Sequence, residues 1–307
     1  MENYNLMKME KSNLLKKPRR QHEGRLAFWL LAPTAGYLIL VMLVPFCWAV
    51  YMSLTDKMIG AAAHFIGLRN YWNLIFEPLF LKALLNTVIF TVVAVIFKVF
   101  FGMVMALVLN EDIKARSFFR ALLILPWTIP TLVSVYIWQW LYSDVGGALN
   151  YILIHSGIMK GSVGWLSTPW LAMTSVIIVN VWRGTPFLGI SILAGLQTVD
   201  LGLYEAAKID GANIIRQFWH ITLPAVKNVI ILAAIITTIW TLSDFEIIWL
   251  LTRGGPANGT QVLSTLSYTC GFLNMNLGKA IAISIFLFPA LIVLVHYITK
   301  KNMDLEV

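Results

Sequence analysis

Charge is what this chain has least of. Lys, Arg, Asp and Glu make up 12% of its 307 residues, where soluble globular domains carry about 25%. So few charges could not cover the surface of a soluble domain of this length. Disordered and collagen-like classes fall too, because 59% of the residues are hydrophobic and the mean hydropathy is +0.76. Two cysteines, Cys47 and Cys270, make neither a disulfide framework nor a zinc site, although a single bridge between them stays open. There is no Gly-rich loop ending in Gly-Lys-Ser/Thr, no His-Glu-x-x-His, no nucleophile elbow and no Cys/His metal cluster. The histidines (His22, His64, His155, His220, His296) are scattered. An intramembrane enzyme would lack both its nucleophile and its metal.

Long apolar runs are what the chain has in quantity. Crossing the hydrocarbon core takes about 20 residues of helix, and six stretches qualify: 27–51, 83–109, 119–142, 170–195, 225–251 and 279–299. The third is interrupted by Pro126 and Pro130 and the fourth by Gly184 and Pro186. Such breaks are tolerated where protein or a cavity satisfies the freed backbone groups. The reading is an all-α, polytopic membrane protein. It has an N-terminal tail (1–26), a six-helix transmembrane domain (27–299) and a C-terminal tail (300–307). The first run is long enough to span, and its basic, polar leader makes it a retained helix rather than a cleaved signal.

The net charge of +8 calls for no nucleic acid, because its distribution follows the membrane. With the N-terminus inside, the inner segments 1–26, 110–120, 196–227 and 300–307 hold 15 Lys and Arg, and the outer segments hold 6. That bias places both termini in the cytoplasm. Trp29, Trp48, Trp140, Trp170 and Trp249 fall near span ends, where aromatic rings anchor at the interface.

The inner loop 200–224 carries the most information. Asp200 is a good N-cap for a short helix over 201–209, and Gly211 can turn the chain through positive φ. Asn213 can cap a second short helix, and Pro224 suits the first turn of the fifth span. The product is a helix–turn–helix on the cytoplasmic surface, with Ala206 and Ala207 as a small-residue contact face.

Glu205, Ala206 and Ala207, then Gly211, then Ile221, Leu223 and Pro224 follow the spacing E-A-A, three residues, G, nine residues, I-x-L-P. This pattern resembles the EAA motif of the permeases of binding-protein-dependent ABC importers. Six spans with the motif loop before the fifth is that family's layout, so the resemblance covers nearly the whole chain. The run from Asp244 to Pro256, and Asn70-Tyr71 after Gly67, are similar to the carbohydrate (maltose/glycerol-phosphate) type. The resemblance implies the type I importer fold in a bacterial inner membrane. It also implies a second permease subunit, two ATP-binding subunits that use ATP and Mg, and an extracytoplasmic solute-binding protein. This chain itself would bind no cofactor and no metal. The large outer insertion of the maltose permease is missing, which leaves open how the binding protein docks.

Polar residues inside spans face protein or a cavity. Asn180, Gly184 and Phe187 share one helical face of the fourth span, and Thr237, Thr241 and Asp244 one face of the fifth, beside Trp240. The mixture of amide, hydroxyl, carboxylate and aromatic surface suits a sugar. The resemblance adds that, counted from Glu205, these positions match those contacting sugar in the maltose permease. Helix–helix packing is the other explanation for them, and Arg183 with Asp244 and Glu246 could form a structural ion pair. A stand-alone secondary transporter or channel using those three charges as a relay is the alternative function. Reporter fusions at Asn150 or Asn258 are expected to read outside and a fusion after Val307 inside; an external C-terminus would overturn this topology.

Overall fold

The computed structural model describes residues 20–112, 114–289, 291–293, 295 and 296, with side chains from residue 26 onward. The described residues are helical, with isolated bridges only at Thr55–Phe65 and Met58–Asn276. Helix α1 (Arg20–Leu38) continues through a π-helical turn (Ile39–Leu43) into α2 (Val44–Ser53). Then come α3 (Arg69–Ile75), α4 (Pro78–Asn110), α5 (Arg116–Thr128), α6 (Thr131–Leu141), α7 (Ala148–His155) and α8 (Pro169–Leu196). Helix α9 (Leu201–Ile209) precedes α10 (Ile214–Gln217), which runs through a second π-helical turn (Phe218–Thr222) into α11 (Leu223–Leu242). The chain closes with α12 (Glu246–Leu251), α13 (Leu263–Tyr268) with a third π-helical turn (Thr269–Leu273), and α14 (Leu277–Phe286). It separates into two compact units between Met52 and Ser53.

Among the described residues, four continuous helices are long and apolar enough to cross a membrane: Leu26–Ser53, Pro78–Asn110, Pro169–Leu196 and Ile214–Leu242. The interruption expected in the third span is present, and the expected spans are corrected in two other places. Segment 119–142 is two helices, α5 and α6, set at 95°. Pro130 offers no N–H and forces the residue before it out of the helical region, and Ile129 accordingly has φ −70 and ψ 133. Pro126 stays within α5. The fourth span is not interrupted, since Gly184 and Pro186 both lie inside the 28 residues of α8. The fifth starts earlier, at Ile214, and stops at Leu242; the break at 243–245 makes α12 a separate short helix. The last apolar helix runs over Leu277–Val293. Residues 290, 294 and 297–299, the 300–307 tail and residues 1–19 lie outside the described residues, and the chain is already helical at Arg20.

Two prolines share a device. Pro45 and Pro224 each stand two residues beyond a π-helical turn, in which Val44 N–H reaches Ile39 O and Leu223 N–H reaches Phe218 O. The extra residue in the wider turn gives the ring room against the preceding carbonyls, so the helix passes through its proline unbroken.

In the second unit α4 and α8 make the most extensive helix pair, and α11 packs on both. Glycine sets how close the first two come. A Cβ on Gly102 would lie 2.8 Å from Leu188 Cβ and 3.2 Å from Gly189 N. One on Gly189 would lie 2.5 Å from the Met105 sulfur. Small residues at such a contact let backbones approach where no hydrophobic effect drives association. One apolar cluster, with Phe90, Val135, Val176 and Ile248, joins α4, α6, α8 and α12. Another, with Leu109, Ile192, Leu196 and Val226, joins the opposite ends of α4, α8 and α11.

The connections are ordered. Asn70 donates to Ser53 O and Thr55 O at 2.8 Å each. Lys82 and Asn86 on α4 donate to the carbonyls of Ala257, Asn258 and Gln261. Gly254 has φ +84, and a Cβ there would collide with the Gln261 side chain. The backbone N–H of His64 donates to Asp56 and holds that exposed carboxyl below its ordinary pKa. Cys47 and Cys270 are both free thiols. Asn150 is buried and bonded to Ser143 O, Ser162 Oγ and Val163 O, so exposed Asn258 is the less disruptive place for a reporter.

Candidate functional site: a charged cavity between helices α4, α8 and α11

Between the two apolar clusters lies a cavity of about 220 Å³ lined by Lys98, Trp127, Asn180, Arg183, Gly184, Phe187, Thr237, Trp240, Thr241, Asp244 and Ile247. All seven residues expected at a cargo site (Asn180, Gly184, Phe187, Thr237, Trp240, Thr241 and Asp244) lie on its wall. One of them reaches it by a different route. Asp244 is not on the fifth span but two residues past its end, in the break before α12. There its Oδ1 accepts from Ile247 N at 3.3 Å and its own carbonyl accepts from Ser264 Oγ at 2.7 Å.

The polar groups form a short network across the helices. Asn180 Nδ2 donates to Asp244 Oδ2 at 2.7 Å. Because a carboxylate accepts, the amide must turn its nitrogen that way, and Asn180 Oδ1 is left buried without a partner. Lys98 Nζ donates to Thr241 Oγ1 at 2.9 Å, and Thr241 donates on to Thr237 O at 2.6 Å. Lys98 is 3% exposed. It fits because Gly184 faces it without a side chain: a Cβ there would stand 2.5 Å from Lys98 Cε. Arg183 Nη1 donates to Ile129 O at 2.8 Å and so satisfies a carbonyl freed by the α5–α6 break. Phe187 and Trp240 close one side, ring centres 4.8 Å apart at 57°.

The suggested ion pair is not formed. Neither Arg183 nor Lys98 belongs to an ion pair among the described residues, and Glu246 is exposed and lines no part of the cavity. Arg183, Asp244 and Glu246 make no salt bridge with one another among the described residues. Lys98, Trp127 and Ile247 were not foreseen. For Lys98 a signal existed, because one ammonium in an apolar run such as 83–109 has to face protein or a cavity. Trp127 and Ile247 carry no comparable signal.

The other expected site, the 200–224 loop, folds as its capping residues dictate. Asp200 Oδ1 accepts from Gly202 N at 2.9 Å to open α9, and Asn213 Oδ1 accepts from Arg216 N at 2.9 Å to open α10. Gly211 has φ +77. Ala212 N bonds Ala207 O at 2.8 Å and Gly211 N bonds Lys208 O at 3.1 Å, which is the Schellman closure. Glu205 and Ala206 are exposed and Ala207 is half-buried. Ile221 lies in the second π-helical turn, and Leu223 and Pro224 open α11. Tyr204 OH and Thr222 Oγ1, 3.0 Å apart, tie the loop to the start of the long helix. Leu201, Ile209 and Ile214 are 73%, 87% and 84% exposed, an apolar face that nothing among the described residues covers.

A helical membrane protein with a polar cavity between packed spans and a capped helix–turn–helix at one end of a long helix has the anatomy of an importer permease. Residues 98–302 match the family described as binding-protein-dependent transport system inner membrane component, and the chain belongs to that family. It is 36% identical over 276 residues to the trehalose/maltose transport system permease protein MalF of Thermococcus litoralis, covering 89% of this chain and 93% of that one. It is 35% identical over 265 residues to the sulfoquinovosyl glycerol transport system permease protein SmoG of Agrobacterium fabrum, covering 85% of each. The fold is shared with a chain in the crystal structure of a bacterial ABC transporter involved in the import of the acidic polysaccharide alginate. That match has a TM-score of 0.77 and 24% identity and covers 93% of this chain and 99% of the other. The chain is thus the membrane-spanning permease of an ABC importer.

The network makes a testable demand on Thr241. Thr241→Val keeps the shape and removes the acceptor that holds Lys98. Leaving a buried charged donor without that partner is expected to cost about 1.5–3 kcal/mol. A lowered midpoint in thermal unfolding of the purified permease complex would show it, and an unchanged midpoint would contradict the network.

Proposed function

We propose that this chain carries the cargo path of a sugar importer and is driven by partner ATPase subunits seated on the 200–224 loop. The observation that carries the reading is the single helix Ile214–Leu242. Its first turn belongs to the loop, and Thr237, Trp240 and Thr241 near its other end line the cavity. At 1.5 Å per residue its 29 residues form a rod of about 43 Å. A push at the loop is therefore delivered to the cavity wall.

The cavity supports the cargo half of this reading. Its 220 Å³ is below the ~300–1,000 Å³ of sites that hold a small molecule, so in this scheme a sugar needs the helices to part. The unpartnered Asn180 Oδ1, the hydroxyl of Thr237 and the rings of Phe187 and Trp240 offer what a sugar presents, namely hydroxyls that both donate and accept, and flat apolar faces. The two relatives named above transport trehalose, maltose or sulfoquinovosyl glycerol by their descriptions. The exposed apolar face of α9 and α10 supports the coupling half, because such a patch marks a protein contact. In this scheme two ATP-binding subunits consume ATP and Mg, a second permease completes the path, and an external binding protein delivers cargo. Both termini are cytoplasmic in the bacterial inner membrane.

The test is one purified, reconstituted complex with three variants. Asn180→Ala removes a hydrogen-bonding group worth about 0.5–1.5 kcal/mol and is expected to lower transport while sparing assembly and basal ATPase. Gly211→Val forces a β-branched residue to positive φ at about 1–2 kcal/mol, and Ala207→Asp puts an unpaired charge into the contact at several kcal/mol. Both should release the ATPase subunits or abolish binding-protein-stimulated hydrolysis. Full retention, stimulation and uptake in both loop variants would remove the loop from coupling.

A further inference from the structure

The charges on the cavity wall do not cancel. Lys98 and Arg183 face one carboxylate, Asp244. Asp244 is already engaged, with one oxygen on Asn180 Nδ2 and the other on Ile247 N. The cations are far less engaged. Arg183 donates one hydrogen bond, to Ile129 O, out of the five N–H groups of a guanidinium. Lys98 donates one, to Thr241 Oγ1, out of three. Neither has a carboxylate in ion-pair contact. A neutral sugar would supply hydroxyls to this wall and leave buried Lys98 and half-buried Arg183 with one carboxylate, Asp244, between them, an excess of one positive charge within the membrane, which is costly. An oxyanion would use the spare donors in charge-assisted bonds, about twice as strong as neutral ones.

We propose that the cargo is an acidic sugar, one bearing a carboxylate, sulfonate or phosphate group, with that group held by Arg183 and Lys98 and its hydroxyls by Asn180 and Thr237. The proposal rests on the reading of this cavity as the cargo site, and Gly184 is part of it. By leaving room for the Lys98 side chain to cross from α4 against α8, it brings that ammonium to the cavity wall. The aromatic pair Phe187–Trp240 then lies against the sugar ring, so a single wall addresses charge, hydroxyls and ring together.

The experiment measures uptake by cells carrying the complete importer. The probes are matched pairs: a uronate disaccharide with its carboxyl-reduced counterpart, and a sugar phosphate with the dephosphorylated sugar. Wild type is expected to prefer an acidic member at least ~10-fold. Arg183→Gln is expected to lower that uptake at least ~10-fold, with partial recovery in Arg183→Lys. Should Arg183→Gln fail to assemble, the wild-type preference decides alone. Equal or better uptake of the neutral members, lost in Asn180→Ala, overturns the acidic cargo and keeps the cavity as the cargo site. Uptake that neither Asn180→Ala nor Arg183→Gln alters overturns the cargo site and this proposal with it. Uptake of no member of any pair overturns the sugar reading itself, and the acidic cargo falls too.

Discussion

Inside a bilayer a polar group has no water to bond with, and the arrangement around Lys98 follows from that constraint. An ammonium on an apolar helix needs an acceptor, room and a nearby negative charge. Thr241 on α11 supplies the first, Gly184 on α8 the second and Asp244, beyond the end of α11, the third. Meeting these needs draws three helices together around one point. The close glycine contact between α4 and α8 makes the approach sterically possible.

The same constraint governs the breaks in the helices. Each interruption frees backbone groups, and each lies where side chains from another element can take them up. Arg183 serves the carbonyl of Ile129 at the α5–α6 bend, and Ser264 serves the carbonyl of Asp244 after α11. Both breaks border the cavity, and the groups that repair them line it or stand beside it. Helix interruption and site construction are here one structural event. The prolines that follow π-helical turns show the opposite solution, in which the ladder widens and no break occurs.

Cavity and loop differ in what holds them. The loop is built from local rules, with two side-chain caps, one positive-φ glycine and a Schellman closure, and it exposes an apolar face. The cavity is built from contacts between residues far apart in the chain, such as Lys98 with Thr241 and Asn180 with Asp244. Ile214–Leu242 belongs to both, which makes it the element through which the two ends answer each other.

What could be read before folding divides along the same line. The sequence by itself determined the all-α membrane class, the loop's caps at Asp200 and Asn213, the turn at Gly211 and the candidacy of Asn180, Thr237 and Thr241. These depend on composition, on 3.6-residue periodicity and on bonds between near neighbours. Only the tertiary structure decided that Pro130 bends a span while Pro186 does not, since that depends on which neighbours receive the freed groups. It alone put Asp244 past the end of its helix and brought Lys98 from another span to the cavity wall. It also set Arg183 on a backbone carbonyl rather than on Asp244 or Glu246. The Lys98 and Arg183 contacts each span tens of residues of chain. A lone lysine in an apolar run announces that it must be paired, but its partner is chosen by which helices pack against it.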